Sequence, residues 1–267
     1  MIVTVIGVGK IGESIARGLA KSPKVSRVIV TRRNPRASTL AGGKIELTSD
    51  NRKAARAADV LFLAVKSTDA RPLLREISEE ASGTLVVSVM AAISLRRLEE
   101  ALPNSRVVRA MPNVAASVGK AISAYAPGSR VRKGDLPRVR HLLGTFGESL
   151  EVPESLMDAV TALSGSGPAY IAILIDAMVS GALKVGLPRD VAFQLVTKTL
   201  TGTADLLKEK GIHPAELRDL VTTPAGTTIA GIYELEKGSF RISIMNAIEA
   251  ATQAAEKVAR KFETEEP

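Results

Sequence analysis

The first half of the chain alternates short apolar, β-branched runs with segments that carry apolar residues at three- and four-residue spacing. The runs predict parallel strands, and the amphipathic segments predict helices that cross over between them. The predicted strands cover residues 2–6, 27–31, 60–65, 85–89 and 106–110. The predicted helices cover residues 11–21, 72–80 and 95–102. This alternation favours an α/β fold with an N-terminal, doubly wound sheet of the Rossmann type.

The second half has a different pattern. From about Pro153 the β-branched runs stop, and Ala and Leu recur with a 3.6-residue period. The predicted helices cover residues 155–163, 168–185, 188–210, 214–220, 226–236 and 240–262. Pro168, Pro188 and Pro214 stand at predicted helix starts, where proline is well tolerated. We therefore predict two domains, a sheet domain over residues 1–152 and an all-helical domain over residues 153–267.

Some helices of the second half are apolar on more than one face. Between residues 169 and 182, Tyr, Ile, Leu and Met are interleaved with Ala and Gly. A small helical bundle cannot cover so much apolar surface by itself. We therefore expect the helical domain to form an intertwined homodimer, and a higher oligomer stays open.

The composition excludes several chemistries. The 267 residues include no cysteine, which rules out disulfides, thiolate metal sites and cysteine nucleophiles. His141 and His213 are the two histidines, and both fall at positions typical of structural residues, so we expect no metal site. There is no run of eighteen apolar residues, and Met1 leads into a glycine-rich turn and not into a secretory leader. We expect a cytoplasmic protein with no membrane partner.

The positive charge lies in the first half. Residues 1–152 carry 25 Lys and Arg against 13 Asp and Glu, whereas residues 153–267 carry 11 against 15. Aromatic residues make up only 3% of the chain, and no docking motif for nucleic acid is present. This distribution favours a small polyanion as ligand and disfavours nucleic acid as partner.

A glycine-rich motif directly follows the first predicted strand and opens the first predicted helix. Its glycines are Gly7, Gly9 and Gly12. In such a turn the first glycine permits the tight bend, the second lets backbone N–H groups approach a pyrophosphate, and the third allows close packing of helix on strand. Glycine-rich turns are also common in ordinary loops, but this position in the first βα unit favours a dinucleotide site.

Two arginines follow the second strand, at the place where NAD-binding sheets carry an acidic residue. Arg32 and Arg33 can hold a 2′-phosphate by charge-assisted hydrogen bonds, which favours NADP(H) over NAD(H). A solvated basic loop is the alternative. Ligands of such sheets bind at the carboxyl ends of strands, so residues 64–67 and 90–92 are candidates for the nicotinamide side.

Three further segments are not typical of generic helix or loop: residues 107–113 (Val-Val-Arg-Ala-Met-Pro-Asn), 162–170 (Ala-Leu-Ser-Gly-Ser-Gly-Pro-Ala-Tyr) and 219–228 (Asp-Leu-Val-Thr-Thr-Pro-Ala-Gly-Thr-Thr). With the Gly7 turn, residues 64–66 and Phe240-Arg241, they resemble the pyrroline-5-carboxylate reductase family in order and spacing over essentially the whole chain. The resemblance implies an NAD(P)H-dependent oxidoreductase that reduces the C=N bond of 1-pyrroline-5-carboxylate to give L-proline. It also implies interlocked helical domains with the active site near the dimer interface.

The resemblance also implies roles for individual residues. The pyrophosphate would lie on Ile6, Gly7, Val8, Gly9, Lys10 and Ile11. The adenosine side would meet Arg32, Asn34 and Asn51. The nicotinamide would lie between Ala64, Val65, Lys66 and Val89, Met90, Ala91. The cyclic imino acid would be received by Thr223, Gly226, Thr227 and Thr228, with the Thr228 hydroxyl on the ring nitrogen as the catalytic contact. Ordinary helix capping is the alternative explanation of this last run.

The chain departs from the family pattern at four places. Many relatives have Pro where this chain has Ser67, Ala-Ala-Gly at residues 90–92, Thr-Pro at residues 114–115, and some have Asn at Leu220. These changes leave the detailed shape of the nicotinamide and substrate pockets open, including a broader range of imines.

Two other functions compete with this assignment. A β-hydroxyacid dehydrogenase or another imine reductase shares the two-domain plan, but the former commonly uses a lysine in the long helix, and here none occurs between Pro168 and Lys184. A non-enzymatic NADP(H)-sensing protein would bind the dinucleotide without oxidising it in the presence of imines.

Overall fold

In the computed structural model, which describes residues 1–33 and 40–264, eight strands form one sheet. They are β1 (Ile2–Ile6), β2 (Arg27–Thr31), β3 (Ile45–Thr48), β4 (Val60–Leu63), β5 (Leu85–Ser88), β6 (Arg106–Met111), β7 (Ala121–Pro127) and β8 (Gly147–Glu151). The α-helices of these ranges are α1 (Lys10–Lys21), α2 (Asn51–Arg56), α3 (Ala70–Ile77), α4 (Leu95–Ala101), α5 (Leu136–Leu143), α6 (Met157–Val160), α7 (Gly167–Lys184), α8 (Arg189–Lys210), α9 (Pro214–Leu220), α10 (Thr227–Lys237) and α11 (Phe240–Thr264).

The order of the strands produces a crevice at one edge of the sheet. The order is β3-β2-β1-β4-β5-β6-β7-β8, and neighbouring strands are parallel except β6 and β7. The carboxyl ends of β1 to β6 therefore meet at one edge, and the strand order reverses between β1 and β4. The predicted fold class, a doubly wound sheet followed by helices, is confirmed.

Both faces of the sheet are covered by helices. Val5 packs in a cluster with residues of α1 and α5, whereas its neighbour Ile6 packs in a second cluster with residues of α3 and α4. The central strands β4 and β5 are buried along their whole length. Alternate side chains of a strand point to opposite faces, which explains why these strands read as continuous apolar runs.

The sequence patterns did not predict three strands and one helix. The strands are β3, β7 and β8, and the helix is α2. β3 has four residues, β7 contains mostly Ala and Ser, and β8 is a half-exposed polar edge strand. Tyr125 of β7 donates a hydrogen bond to the Glu151 carboxylate of β8 at 2.9 Å. Burial raises the pKa of Tyr125, so its hydroxyl keeps the proton that it donates.

The segment after β8 is tied to the sheet by a buried arginine. Arg109 of β6 reaches Glu154 at 3.1 Å and Asp158 at 3.4 Å. Residues 1–168 and 250–267 accordingly form one compact unit, and residues 169–249 form another. The predicted boundary at residue 152 lies one residue past the end of β8 at Glu151. The division into functional domains at that point stays a prediction.

The second compact unit buries little of its apolar surface. Its buried cluster consists of Val179, Ala192 and Val196, with four partly buried neighbours. Large apolar side chains on its helices are exposed, among them Ile173 at 70% and Tyr233 at 67%. Burial of apolar side chains is the main source of stability for a folded chain, so this unit needs a further surface to cover its helices.

One helical stretch within the described residues, Glu154–Lys184, is long and apolar enough to cross a membrane by length and composition alone. Core helices of water-soluble proteins meet the same two criteria, so the stretch does not assign the chain to a membrane.

Candidate active site

A cleft opens at the carboxyl edge of the sheet beside β1, β2 and β4. Its volume is about 580 Å³, which lies in the range of ligand sites. It is lined by Ile6, Gly7, Val8, Gly9, Thr31, Arg32, Arg33, Ser49, Asn51, Ala64, Val65, Lys66, Asp69, Pro72, Leu73 and Glu76. Ten of the residues predicted to bind the dinucleotide thus line one cleft, although they come from four separate parts of the chain.

The glycine turn at the centre of this cleft is fixed by close packing. Gly7 has φ +101°, and a Cβ there would lie 2.8 Å from the backbone carbonyl of Ala64. A Cβ on Gly12 would lie 1.9 Å from the carbonyl oxygen of Gly7. A Cβ on Gly9 would meet nothing within 4 Å, because Gly9 faces open space. The first and third glycines therefore serve the fold, and the second keeps the backbone accessible.

Helix α1 leaves its first amides available to a ligand. Its N-cap is Gly9, which has no side chain to cap the helix, and the helical hydrogen bonds begin with Glu13 N–H donating to the Gly9 carbonyl at 2.9 Å. The amides of Lys10, Ile11 and Gly12 precede that bond and have no acceptor within the helix. These three residues do not line the cleft wall, but their amides lie at its glycine turn, where the helix dipole favours an anion.

The part of the cleft that is predicted to hold the adenosine carries side chains of both charge signs. Arg32 and Arg33 follow the last residue of β2, and the Arg32 amide donates to the Thr48 carbonyl of β3 at 2.9 Å. The Arg33 guanidinium lies 3.5 Å from the Asp69 carboxylate and is 91% exposed. Asn51 donates from its side chain to Glu76 at 3.0 Å. Asn34, also predicted here, lies outside the described residues.

The residues that follow β4 line the cleft, and those that follow β5 do not. The first group is Ala64, Val65 and Lys66, and the second is Val89, Met90 and Ala91. The side chain of Met90 is 1% exposed and packs in the second core cluster, so it points away from the cleft. The nicotinamide role of residues 89–91 stays a prediction that concerns their backbone.

The predicted substrate segment forms a strained turn before α10. Ala225 has φ +55°, which a residue with a Cβ rarely adopts, and the Gly226 amide donates to the Thr223 carbonyl at 3.1 Å. A Cβ on Gly226 would lie 2.3 Å from the Thr223 hydroxyl, so glycine is needed there. Strained backbone of this kind is typical of functional sites.

No side chain caps the start of α10. Its N-cap is Gly226, and the structure shows no side-chain cap hydrogen bond at this described helix start. The threonines therefore do not serve as ordinary caps, which was the alternative explanation of this segment. Thr227 and Thr228 begin the helix, and Thr228 is half-buried.

Both histidines occupy structural positions. His141 lies 3.0 Å from the Ser22 hydroxyl, and Nδ1 of His213 accepts a hydrogen bond from the Ala215 amide at the start of α9. Neither residue lines the cleft described above.

Comparisons with known proteins show which family the chain belongs to. A family model described as pyrroline-5-carboxylate reductase dimerisation matches residues 154–258. Another, described as NADP oxidoreductase coenzyme F420-dependent, matches residues 2–92. A pyrroline-5-carboxylate reductase of Methanosarcina acetivorans is 40% identical, with 96% of this chain and 97% of the relative covered. The chain belongs to the pyrroline-5-carboxylate reductase family.

Two further relatives have the same family name. A pyrroline-5-carboxylate reductase of a Synechocystis species is 41% identical, with 82% of each chain covered. The crystal structure of Plasmodium falciparum pyrroline carboxylate reductase with NADP bound superposes with a TM-score of 0.89 at 28% identity, covering 97% of this chain and 98% of that one. The predicted family and the predicted class of NAD(P)H-dependent oxidoreductase are confirmed.

One departure from the family pattern has a left-handed backbone conformation. Ala92, which stands where many family members have glycine, has φ +62°. Holding a residue with a Cβ in this left-handed region costs about 1–2 kcal/mol. The turn after β5 therefore forms at some cost in stability.

One polar group at this edge belongs to the distinctive segment of residues 107–113, but no role was predicted for it. Asn113 lies two residues after β6, and its side-chain oxygen is buried without a hydrogen-bond partner in the described part of the chain. Buried amide oxygens are normally bonded, so an unmet acceptor beside a ligand edge is a candidate ligand contact. Its position after a strand that ends at the crevice was the available signal.

The structure supports a direct test of the two arginines. We expect the double variant Arg32→Ala/Arg33→Ala to weaken NADPH binding by about 10- to 100-fold, because two charge-assisted hydrogen bonds to the 2′-phosphate are lost. NADH affinity should change less than about threefold, since NADH has no such phosphate. Fluorescence titration of both nucleotides measures this.

The matched control for these variants is Arg27→Ala. Arg27 lies at the other end of β2 and pairs with Glu46, outside the cleft. Equal losses of affinity for NADPH and NADH in the double variant would contradict the 2′-phosphate assignment.

Proposed function

We propose that the protein is a pyrroline-5-carboxylate reductase that transfers hydride from NADPH to the C=N bond of 1-pyrroline-5-carboxylate and forms L-proline, the last step of proline biosynthesis. The observation that carries the proposal is the 40% identity over nearly the full length to a relative of that name. The glycine-turn cleft and the uncapped start of α10 support it, since the reaction requires one site for a dinucleotide and one for a small carboxylate.

The cleft beside β1 fits a nicotinamide dinucleotide. The amides at the Gly9 turn suit the pyrophosphate, Arg32 and Arg33 suit the 2′-phosphate of NADP(H), and NAD(H) lacks a partner for them. Ala64, Val65 and Lys66 would flank the nicotinamide. When bound, the reduced cofactor supplies the hydride.

The start of α10 fits a carboxylate. The amides of Thr227 and Thr228 precede the first helical bond, in which Ala230 N–H donates to the Gly226 carbonyl at 3.4 Å. Free amides at the positive end of a helix dipole bind carboxylates well. The Thr223 carbonyl stabilises this turn by accepting a hydrogen bond from the Gly226 amide. We assign the Thr228 hydroxyl to the ring nitrogen of the imine.

The chemistry places modest demands on the protein. Hydride adds to the imine carbon, the π electrons of C=N move to the ring nitrogen, and that nitrogen keeps a proton that it brought or took from water. The chain must hold the imine in one orientation and support the nitrogen as its charge changes. The Thr228 hydroxyl can do both through one hydrogen bond.

The activity is tested by following NADPH absorbance with 1-pyrroline-5-carboxylate, and then with NADH and with larger cyclic imines. We expect turnover with pyrroline-5-carboxylate and a kcat lowered by about 10²- to 10³-fold in Thr228→Ala, with NADPH affinity kept. Thr228→Ser should restore much of the kcat, because it keeps the hydroxyl.

The control for the threonine variants is Thr199→Ala on α8, whose hydroxyl donates to the Leu195 carbonyl of its own helix. Near-normal turnover of Thr228→Ala would remove the proposed role of Thr228. NADPH binding without oxidation by any of these imines would point to a nucleotide-sensing protein instead.

We further propose a homodimer through the helices of residues 169–249. Their exposed apolar side chains, with only a small buried cluster, support this arrangement, and so does the match to a dimerisation family over residues 154–258. Covering these side chains by a second copy would remove them from water. The protein would act in the cytoplasm as a small-molecule enzyme.

Light scattering at micromolar concentration tests this assembly. We expect a mass of at least twice the 28.1 kDa of one chain. Ile173→Asp on α7 should shift the mass towards the single chain, because it buries a charge in the interface. Val118→Asp is the control, since Val118 is similarly exposed, at 72%, but lies in the sheet unit. A single-chain mass for the unaltered protein would refute the dimer.

A further inference from the structure

The dinucleotide cleft is lined by two carboxylates, although the ligand proposed for it is an anion. They belong to Asp69 and Glu76. Asp69 lies 3.5 Å from the Arg33 guanidinium, which offsets its charge. Glu76 forms no ion pair within the described residues 1–33 and 40–264, and its Oε2 accepts a hydrogen bond from the Asn51 side-chain amide at 3.0 Å. A carboxylate without a cationic partner, in a site for an anionic ligand, requires a hydrogen-bond donor of that ligand.

The hydrogen bond with Asn51 fixes the side of the cleft on which the Glu76 carboxylate lies. Helix α3 follows β4 in the chain, whereas Asn51 begins α2, which follows β3, and β3 pairs with β2. The bond therefore holds the end of the Glu76 side chain beside the residues that follow β2 and β3. Arg32 and Arg33 also follow β2, so Glu76 lies on the side proposed for the adenosine half of the ligand.

Helix α3 offers an apolar surface beside this carboxylate. Pro72 and Leu73 line the same cleft, one helical turn before Glu76. Residues three and four positions apart on a helix share one face, so these three residues lie together. Leu73 is buried in the second core cluster, whereas Pro72 is exposed and its ring is accessible to a ligand. A flat ring with a hydrogen-bond donor on its edge matches this surface.

Adenine is the part of the dinucleotide that has these features. Its ring system is flat, its 6-amino group donates hydrogen bonds, and its ring nitrogens accept them. A carboxylate only accepts, so the 6-amino group is the polar group of the base that Glu76 can bind. The Gly9 turn, Arg32 and Arg33 are assigned to phosphates and leave this group without a partner.

We propose that Glu76 selects adenine as the base of the dinucleotide. Its Oε1 accepts a hydrogen bond from the 6-amino group, Asn51 positions the carboxylate through Oε2, and Pro72 packs against the ring. The inference rests on the proposed binding of NADP(H) and adds a preference for one base. Hypoxanthine has a carbonyl oxygen at the place of the amino group, so it would direct an acceptor at the carboxylate and bind more weakly.

Calorimetric titration of the full chain with NADP⁺ and with its hypoxanthine analogue, deamino-NADP⁺, tests the proposal without turnover. Both nucleotides have the same phosphates and the same nicotinamide, so the ratio of their affinities reports on the base. We expect the unaltered protein to bind NADP⁺ about tenfold or more tightly, because the analogue loses a hydrogen bond to a charged group and sets two acceptors against each other.

Variants assign this preference to individual residues. Glu76→Gln should reduce it to less than about threefold, because an amide can accept from adenine or donate to hypoxanthine. Asn51→Ala should also reduce it, since the carboxylate loses the bond that positions it, whereas a merely structural role would weaken both nucleotides equally. Glu79→Gln is the matched control and should keep the full preference, because Glu79 lies beyond the end of α3 and does not line the cleft.

Equal binding of the two nucleotides by the unaltered protein would overturn the proposal, and so would a full preference in Glu76→Gln. Neither result affects the turnover of pyrroline-5-carboxylate with NADPH, which distinguishes it from a failure of the proposed function. A preference that depends on Glu76, in a protein that oxidises no NADPH with any imine, would refute the reductase and support this role of Glu76.

Discussion

Free backbone amides at two helix starts are the feature on which the rest of the account depends. Helix α1 begins after Gly9 and α10 begins after Gly226, and neither has a side-chain cap. By contrast, Asp50 caps α2 and Ser94 caps α4 through their side chains. Amides that no side chain satisfies are paired with water or with an anionic ligand. A helix start without a side-chain cap can thus bind a pyrophosphate in the sheet unit and a carboxylate in the helical unit.

The fold makes the first of these helix starts accessible. The strand order reverses between β1 and β4, so the loops that follow these strands separate and leave a crevice. Gly7 and Gly12 allow the turn and α1 to pack closely, and Gly9 leaves the backbone open. Arg32 and Arg33 follow β2, which is the strand next to β1, on the side where an adenosine phosphate would lie. The dinucleotide cleft therefore depends on pairing between strands that are distant in the sequence as well as on the local glycine motif.

Local patterns in the sequence were sufficient for the central strands, the glycine turn and most helices. They failed at β3, β7 and β8, because short or Ala- and Ser-rich edge strands lack the apolar runs of a buried strand. The direction in which Met90 points and the unmet acceptor of Asn113 depend on packing across distant segments.

A crystal structure of the protein with NADP⁺ and L-proline tests the central claim most directly. The account predicts the pyrophosphate on the amides that follow Gly9, the 2′-phosphate against Arg32 and Arg33, and the proline carboxylate on the amides of Thr227 and Thr228. An empty glycine turn, or a proline carboxylate bound far from residues 223–228, would contradict it.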